Sequence, residues 1–265
     1  MCQWITKSKV KVSVHKLMIQ MNLCFVANNI QQYAYIIKSC YRYPSKCMHS
    51  FKELKQRQRA ERDSYPQNLS LRIHRALSWL NKSELCDDDD SQFIFLWIAF
   101  NSAYAQEFEQ RQQFGEQGLY GKFLEKLITC DQREQLHNLV WDEYSNTIRV
   151  ILDNEFILQA YWDFHAGRIT EESWKNERSK AKAAANKALS QNDTAKVLSI
   201  LFSRLYTLRN QLIHGGATYL SSANRQQLRD CSGILEKLVP SIIEIMMDSA
   251  DKVWGEAVYP LINQK

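Results

Sequence analysis

The chain has 265 residues, of which 45% are hydrophobic and 24% are charged. This balance excludes an intrinsically disordered chain, and the low totals of 8 Gly and 4 Pro argue against collagen and turn-rich β-sandwiches. The longest purely apolar run, residues 93–100, is far shorter than the roughly 20 residues that span a bilayer, so we expect no membrane-spanning segment.

The formal net charge of +5 is confined to the N-terminal end of the chain. Residues 1–47 contain 7 Lys and Arg and no Asp or Glu. Residues 48–265, which we call the body, therefore hold 27 basic and 29 acidic residues. Because the body is slightly acidic, the overall basicity is weak support for nucleic-acid binding.

Residues 1–47 also differ from the body in composition, with 4 of the 7 cysteines and no glycine. Three interpretations stay open: a targeting peptide, a basic arm that contacts RNA or a membrane, and a translated upstream region with Met48 as the true start. The absence of acidic residues and of periodicity favours the third. We expect residues 1–47 to be a leader that is not native or is disordered, and the body to be a single helical domain.

Neither the cysteines nor the acidic residues of the body predict a metal site. Cys86, Cys130 and Cys231 form no C-x-x-C pair, which indicates reduced thiols and a cytoplasmic setting. Cys130 and His137 are seven residues apart, which is not a usual spacing of metal ligands. The run Asp87–Asp90 is better suited to capping the next helix, because consecutive side chains fan out around the backbone. We expect no metal and no cofactor.

The apolar residues of the body recur with the period of three to four that is typical of α-helices. One such stripe lies in Ser70–Leu80, and a strongly apolar segment follows the aspartate run to about Phe108. Further helices are predicted at residues 119–129, 131–140, 142–165, 171–190, 193–213, 222–237 and 241–262. No segment shows the alternation of a strand with hairpin turns. The sequence therefore predicts an all-α protein, a helical bundle with additional helices.

Two further sets of residues are interpreted from the same helical pattern. The segment 171–190 combines cations with many alanines, which favours a solvated outer helix. The alternative is a basic face that follows a phosphate backbone, with Lys175, Arg178 and Lys182 as RNA-binding residues. Five tryptophans at helical positions are predicted to be core aromatics: Trp79, Trp97, Trp141, Trp162 and Trp254.

The helix predicted at 193–213 ends in a polar segment followed by two glycines, which stop a helix. Arg209, Asn210 and His214 lie off its apolar stripe. Asn210 and His214 are four residues apart and face the same way. Arg209 and His214 are separated by about 140° around the helix. A second copy of the helix in a dimer, or the length of the arginine side chain, would bring these two groups together.

These three residues suit the cleavage of RNA without a metal ion. A histidine gains or loses a proton near neutral pH, so His214 suits general acid/base work on a ribose 2′-OH or a leaving 5′ oxygen. Arg209 offers a planar fork to a phosphate, and Asn210 would position the ring or the phosphate. An arginine followed closely by a histidine also arises by chance, as a surface pair at a helix end.

The segment Arg209–Gly215 resembles the R-x4–6-H motif of the HEPN superfamily, including the polar residue that often follows the arginine. The segment Leu96–Tyr104 resembles a helix of bacterial HEPN-domain proteins of the Apea-like group. The resemblance runs from about Phe51 to the C-terminus. One HEPN branch has a tyrosine two residues after the histidine, where this chain has Gly216, so the nucleotidyltransferase partner of that branch is not implied.

The resemblance implies a HEPN-like helical bundle that dimerises with paired Arg–His motifs at the interface. It implies a metal-independent endoribonuclease that leaves a 2′,3′-cyclic phosphate, in a toxin–antitoxin or phage-defence role. The expected partners are RNA, a second copy of the chain, and an antitoxin or defence protein. Asn101 and Tyr104 are expected either to pack in the interior or to support the catalytic helix. The alternative function is a catalytically inactive HEPN-like module that binds RNA, a nucleotide or a protein partner.

Overall fold

The computed structural model describes residues 50–104, 121–222, 225–252 and 254–256. All of them lie in the body. The pattern of contacts within the chain divides it into two units, residues 1–47 and the body. The predictions for the leader, and for the continuation of the apolar helix to Phe108, fall outside the described residues. Across the described ranges, none of the helices has the length and apolarity that a bilayer crossing requires.

The described residues are mainly helical and contain no strand, which confirms the predicted all-α class. Short 3-10 turns at Arg62–Ser64 and Glu155–Ile157, and a π-helical turn at Leu139–Glu143, lie between or extend the α-helices. In chain order the α-helices are α1 (Phe51–Glu61), α2 (Gln67–Glu84), α3 (Asp89–Tyr104), α4 (121–130), α5 (Gln135–Asn138), α6 (Ser145–Asp153), α7 (Gln159–His165), α8 (Glu171–Ser190), α9 (Thr194–Ile213) and α10 (Arg225–Asp248).

Three of the long helices begin at a residue whose side chain caps the N-terminus. Asp88 Oδ1 accepts a hydrogen bond of 2.7 Å from the backbone N–H of Ser91 at the start of α3. Thr170 accepts in the same way at α8, and Asp193 at α9. Each cap satisfies a backbone donor that the first turn of a helix leaves open. The predicted capping role of the aspartate run is confirmed for Asp88.

The single helix predicted at residues 142–165 is wrong, because Asn154 divides this segment. Its backbone is extended, with φ −73° and ψ 119°. Its side chain accepts a 2.9 Å hydrogen bond from the backbone N–H of Phe156. An asparagine that bonds the backbone two residues ahead forms a turn of its own, which competes with continuation of a helix.

The predicted break between residues 237 and 241 is also wrong, because α10 is continuous across Pro240. Proline removes one helical hydrogen bond and costs about 3 kcal/mol inside a helix. Residues 238–247 are all buried, so the packing of this part of the helix on every side outweighs the cost of the proline. The helix ends at Asp248, before the predicted end at residue 262.

The core is formed mainly by α2, α3 and α10, with α9 packed on the aromatic side of α3. Trp97 and Trp254 are buried, as predicted, and Trp141 and Trp162 are half-buried. Trp79 was predicted in the core and instead has 37% of its surface exposed. It stacks on the ring of Phe95, with 5.7 Å between ring centroids, on the outer side of the α2–α3 pair.

Candidate functional site

The C-terminal end of α9 holds the Arg–His segment in a defined geometry. Gly216 donates its backbone N–H to Gln211 O at 2.7 Å, and Gly215 donates to Leu212 O at 3.3 Å. Gly215 has φ +72°, in the left-handed region that favours glycine. These two bonds form a Schellman motif, which ends the helix at His214. The predicted stop is thereby confirmed, and the backbone under His214 is fixed.

Arg209 is half-buried and held by its neighbours on the same helix. Its Nη1 donates to Asn210 Oδ1 at 2.8 Å. Its guanidinium carbon lies 5.8 Å from the ring centroid of Tyr206, which is a cation–π distance. Its Nε is buried without a hydrogen-bond partner among the described residues. The arginine and asparagine of the motif are therefore in contact, and the Nη1 hydrogen bond to Asn210 fixes the position of the guanidinium.

His214 is exposed, and its imidazole makes no hydrogen bond, ion pair or ring contact with the described part of the chain. No hydrogen bond joins it to Arg209 there. The backbone N–H of His214 donates to Asn210 O at 3.0 Å, which closes the last helical turn. One copy of the chain thus presents the arginine and the histidine side by side on one helix end, without bringing them to one point.

An apolar surface adjoins this helix end. A shallow depression of about 310 Å³ separates the start of α3 from the end of α9, and its walls include Phe95, Ile213 and Tyr219. Ile213 is 48% exposed and Tyr219 is 64% exposed. Together with Trp79, stacked on Phe95, these residues form what we call the apolar patch. A contiguous exposed apolar surface beside a polar site is typical of an interaction surface.

The aspartate run positions the loop that carries Tyr219. Asp88 is hydrogen-bonded by the side chain of Tyr219. Burial acts to raise the pKa of Asp88, but hydrogen bonds from Ser91 and Tyr219 outweigh it and hold that pKa below its usual range. Asp90 forms a short ion pair with Arg225 at the start of α10. The sequence pattern had no feature that linked these groups, because they are more than 125 positions apart. Within the described ranges, no group of three His, Cys, Asp or Glu side chains is arranged to hold a metal ion.

The relative direction of α3 and α9 decides where the supporting residues lie. Trp97 contacts Tyr206, with 6.2 Å between ring centroids, and Phe100 contacts Phe202 at 4.2 Å. A later residue on α3 thus meets an earlier residue on α9, so the two helices run antiparallel. The C-terminal end of α9 consequently lies beside the N-terminal end of α3.

The structure does not bring Asn101 and Tyr104 to the Arg–His end of α9. Asn101 and Arg209 lie about 10 Å apart along the helix axes, at 1.5 Å rise per residue. Tyr104 stacks on Phe100 at 4.9 Å and lies 5.9 Å from the ring of Phe123. Tyr104 is therefore part of the aromatic core, which is the packing alternative. The Oδ1 atom of Asn101 is buried without a hydrogen-bond partner in the described residues.

The three predicted RNA-binding cations lie on the outer side of α8 and each pairs with a carboxylate. The pairs are Lys175 with Glu171 at 2.8 Å, Arg178 with Glu155 at 2.9 Å, and Lys182 with Asp153 at 2.9 Å. These exposed ion pairs are weak and exchange readily. They cancel the positive charge of this face in the free protein, which favours the solvated outer helix; RNA binding there stays a prediction.

Comparisons of the chain with protein-family models, curated proteins and solved structures find no match. The class that the described residues define is an all-α protein with an Arg–Asn–His helix end beside an apolar patch.

Proposed function

We propose that the protein is a metal-independent endoribonuclease of the HEPN type that acts as a homodimer. The observation that carries the proposal is the end of α9. There, Arg209 is bonded to Asn210, and the exposed His214 is fixed by a Schellman motif. Arginine, a polar positioning residue and an exposed imidazole are groups that suit RNA cleavage through the 2′-OH.

The proposed step is an attack of the ribose 2′ oxygen on the adjacent phosphorus. One imidazole accepts the 2′-OH proton, the 2′ oxygen–phosphorus bond forms, and the bond from phosphorus to the 5′ oxygen breaks. The His214 of the second copy protonates the leaving 5′ oxygen. Arg209 stabilises the added charge on the phosphate, and Asn210 holds the guanidinium in place through its 2.8 Å hydrogen bond. The products are a 2′,3′-cyclic phosphate and a 5′-OH.

The apolar patch supports the homodimer. Ile213 lies on α9 between the two functional residues and is 48% exposed, and Tyr219 follows in the next loop. Association through this patch would remove apolar surface from water and place two Arg–His segments next to each other. The proposal also includes a cytoplasmic toxin or phage-defence role, in which an antitoxin or defence protein restrains the activity.

The experiment uses the purified full chain, a mixed RNA substrate, and EDTA throughout. His214→Ala is the test variant. His165→Ala is the matched control, because His165 is also an exposed histidine at the C-terminal end of a helix. We expect the parent and the control to cleave RNA to cyclic-phosphate ends, and His214→Ala to lose at least 10²-fold in rate. Equal cleavage by all three proteins would refute the role of His214. Binding without cleavage by the parent would favour the inactive module.

A second experiment tests the dimer. Ile213→Asp places a charge in the apolar patch, and Val150→Asp places one at a 61% exposed valine of α6, outside the patch. We expect light scattering at micromolar concentration to show a dimer for the parent and Val150→Asp, and a monomer for Ile213→Asp, together with loss of cleavage. A parent that stays monomeric while it cleaves RNA would contradict the composite site.

A further inference from the structure

A second concave site lies on another part of the body, between α7, α8 and α9. It is a cleft of about 640 Å³, and its size suits a small organic ligand. One wall is the apolar side of α8, with Ala181 and Ala184, and it faces Ile200 on α9. Neither Arg209 nor His214 lines it.

The floor of this cleft contains a charge without a counter-ion. Arg204 lines the cleft and retains only 5% of its accessible surface. Its Nε has no hydrogen-bond partner, and no carboxylate pairs with its guanidinium in the described part of the chain. Burial lowers the pKa of Arg204, yet a guanidinium stays protonated at neutral pH. A buried cation is costly unless something pairs with it.

The other charged side chains of the cleft do not supply that partner. Glu177 is bonded to Lys180 at 3.0 Å, and Asp163 is bonded to Arg168 at 2.6 Å. Lys196, which lines the cleft from the first turn of α9, makes no ion pair within the described residues. Once the paired groups are set aside, the cleft holds two positive charges, a buried guanidinium and an exposed ammonium. It is therefore complementary to an anion with two negative charges.

We propose that this cleft binds a phosphate group, either as the free ion or as the phosphate of a small organic molecule. Arg204 would donate its N–H groups to the phosphate oxygens, and Lys196 would add the second charge from the open side. The small side chains of Ala181 and Ala184 leave room for the organic part of such a molecule against Ile200. The inference does not depend on ribonuclease activity, because the cleft and the Arg–His segment share no residue.

The test is isothermal titration calorimetry of the full chain at constant ionic strength, because ionic strength screens charge pairing. Three probes separate the sources: inorganic phosphate, adenosine 5′-monophosphate, and adenosine without phosphate. We expect both phosphate probes to bind and adenosine not to bind. A tighter affinity for the monophosphate than for phosphate would identify an organic ligand, and the reverse would identify the free ion.

Variants locate the binding. Arg204→Gln removes the buried charge, Lys196→Gln removes the exposed one, and Lys187→Gln is the control, an exposed lysine of α8 that does not line the cleft. We expect phosphate affinity to fall at least tenfold in the first two and to stay unchanged in the control. Since Lys196 is on the surface, Lys196→Gln tests the site even if Arg204→Gln fails to fold. Equal affinity of the parent and a folded Lys196→Gln or Arg204→Gln variant, or no phosphate binding by the parent, would overturn the proposal.

Discussion

The helix α3 has apolar residues on every side, and two of its phenylalanines lie in different environments. Phe100 is fully buried, with its ring 4.2 Å from Phe202 and 4.9 Å from Tyr104 between centroids. Phe95 is half-buried, and stacks on the partly exposed Trp79. Phe100→Ala and Phe95→Ala therefore remove the same atoms from two different environments.

The expected loss in the free energy of unfolding depends on how far the neighbouring side chains can fill the space that each ring leaves. Truncation of a buried phenylalanine to alanine costs about 3–5 kcal/mol. The neighbours of Phe100 belong to three different helices, including α4 through Phe123 at 6.2 Å. They cannot all move into the space, so we expect about 4 kcal/mol. At Phe95, water reaches the vacated space and chiefly the ring stacking is lost, so we expect about 1 kcal/mol.

The assay is urea unfolding of the full chain followed by circular dichroism, with the free energy of unfolding taken at zero denaturant. Total stabilities of 5–15 kcal/mol are usual, so Phe100→Ala should remain measurable or unfold outright. Phe100→Leu, which keeps most of the volume, should cost less than about 1.5 kcal/mol. A cost for Phe95→Ala equal to or above that for Phe100→Ala would show that the inner side of α3 has been assigned incorrectly.

Three further outcomes are expected. Burial and the nearby Lys55, whose Nζ lies 3.4 Å from Nδ1 of His74, lower the pKa of His74. Because the unfolded chain then binds the proton more tightly, the free energy of unfolding should fall as the pH drops below about 6.5. His74→Gln should remove that loss in urea titrations at pH 7.5 and 5.5. Asp90→Asn should lower the free energy of unfolding by about 1 kcal/mol, since its ion pair with Arg225 is partly exposed to water; a change within error would contradict a contribution of this pair. Gly215→Ala should cost about 1–2 kcal/mol from backbone strain alone, because the added Cβ would meet no described residue beyond its chain neighbours within 4 Å. An unchanged melting temperature would argue against the left-handed conformation at that position.

The sequence predicts best the bounds of those helices that begin with a capping side chain. The segments 171–190 and 193–213 match Glu171–Ser190 and Thr194–Ile213, because Thr170 and Asp193 cap their first turns. The break in the segment 142–165 cannot be predicted from the period of its apolar residues. That period is helical on both sides of Asn154, and only the hydrogen bond to the Asn154 side chain separates the two helices. The same limit applies to α3, where apolar residues on every side leave the buried face undefined until its neighbours are known.

The sequence predicts the residues at the end of α9, and it does not predict which residues of other helices lie beside them. The spacing placed Arg209 and His214 at a helix end, and the Schellman bonds confirm that end. Spacing within one helix carries no information on whether the next helix runs parallel or antiparallel to it. The antiparallel packing of α3 and α9 puts Asn101 beside an earlier part of α9 than Arg209. Residues that support a catalytic group across helices can therefore be assigned only after the packing is known.

The positions around α9 also explain why a two-fold dimer would complete the site. At 100° per residue, Ile213, Asn210 and His214 lie about 40°, 100° and 140° from Arg209 around the helix. All four residues share one side, with the exposed Ile213 between the guanidinium and the imidazole. A two-fold axis that passes close to Ile213 would bury the isoleucine of each copy against the other. It would bring the Arg209 and His214 side chains of both copies into one interface, because an isologous contact uses the same surface of each subunit. Under the proposed function, the second copy would therefore supply the groups that one chain keeps about 140° apart around α9.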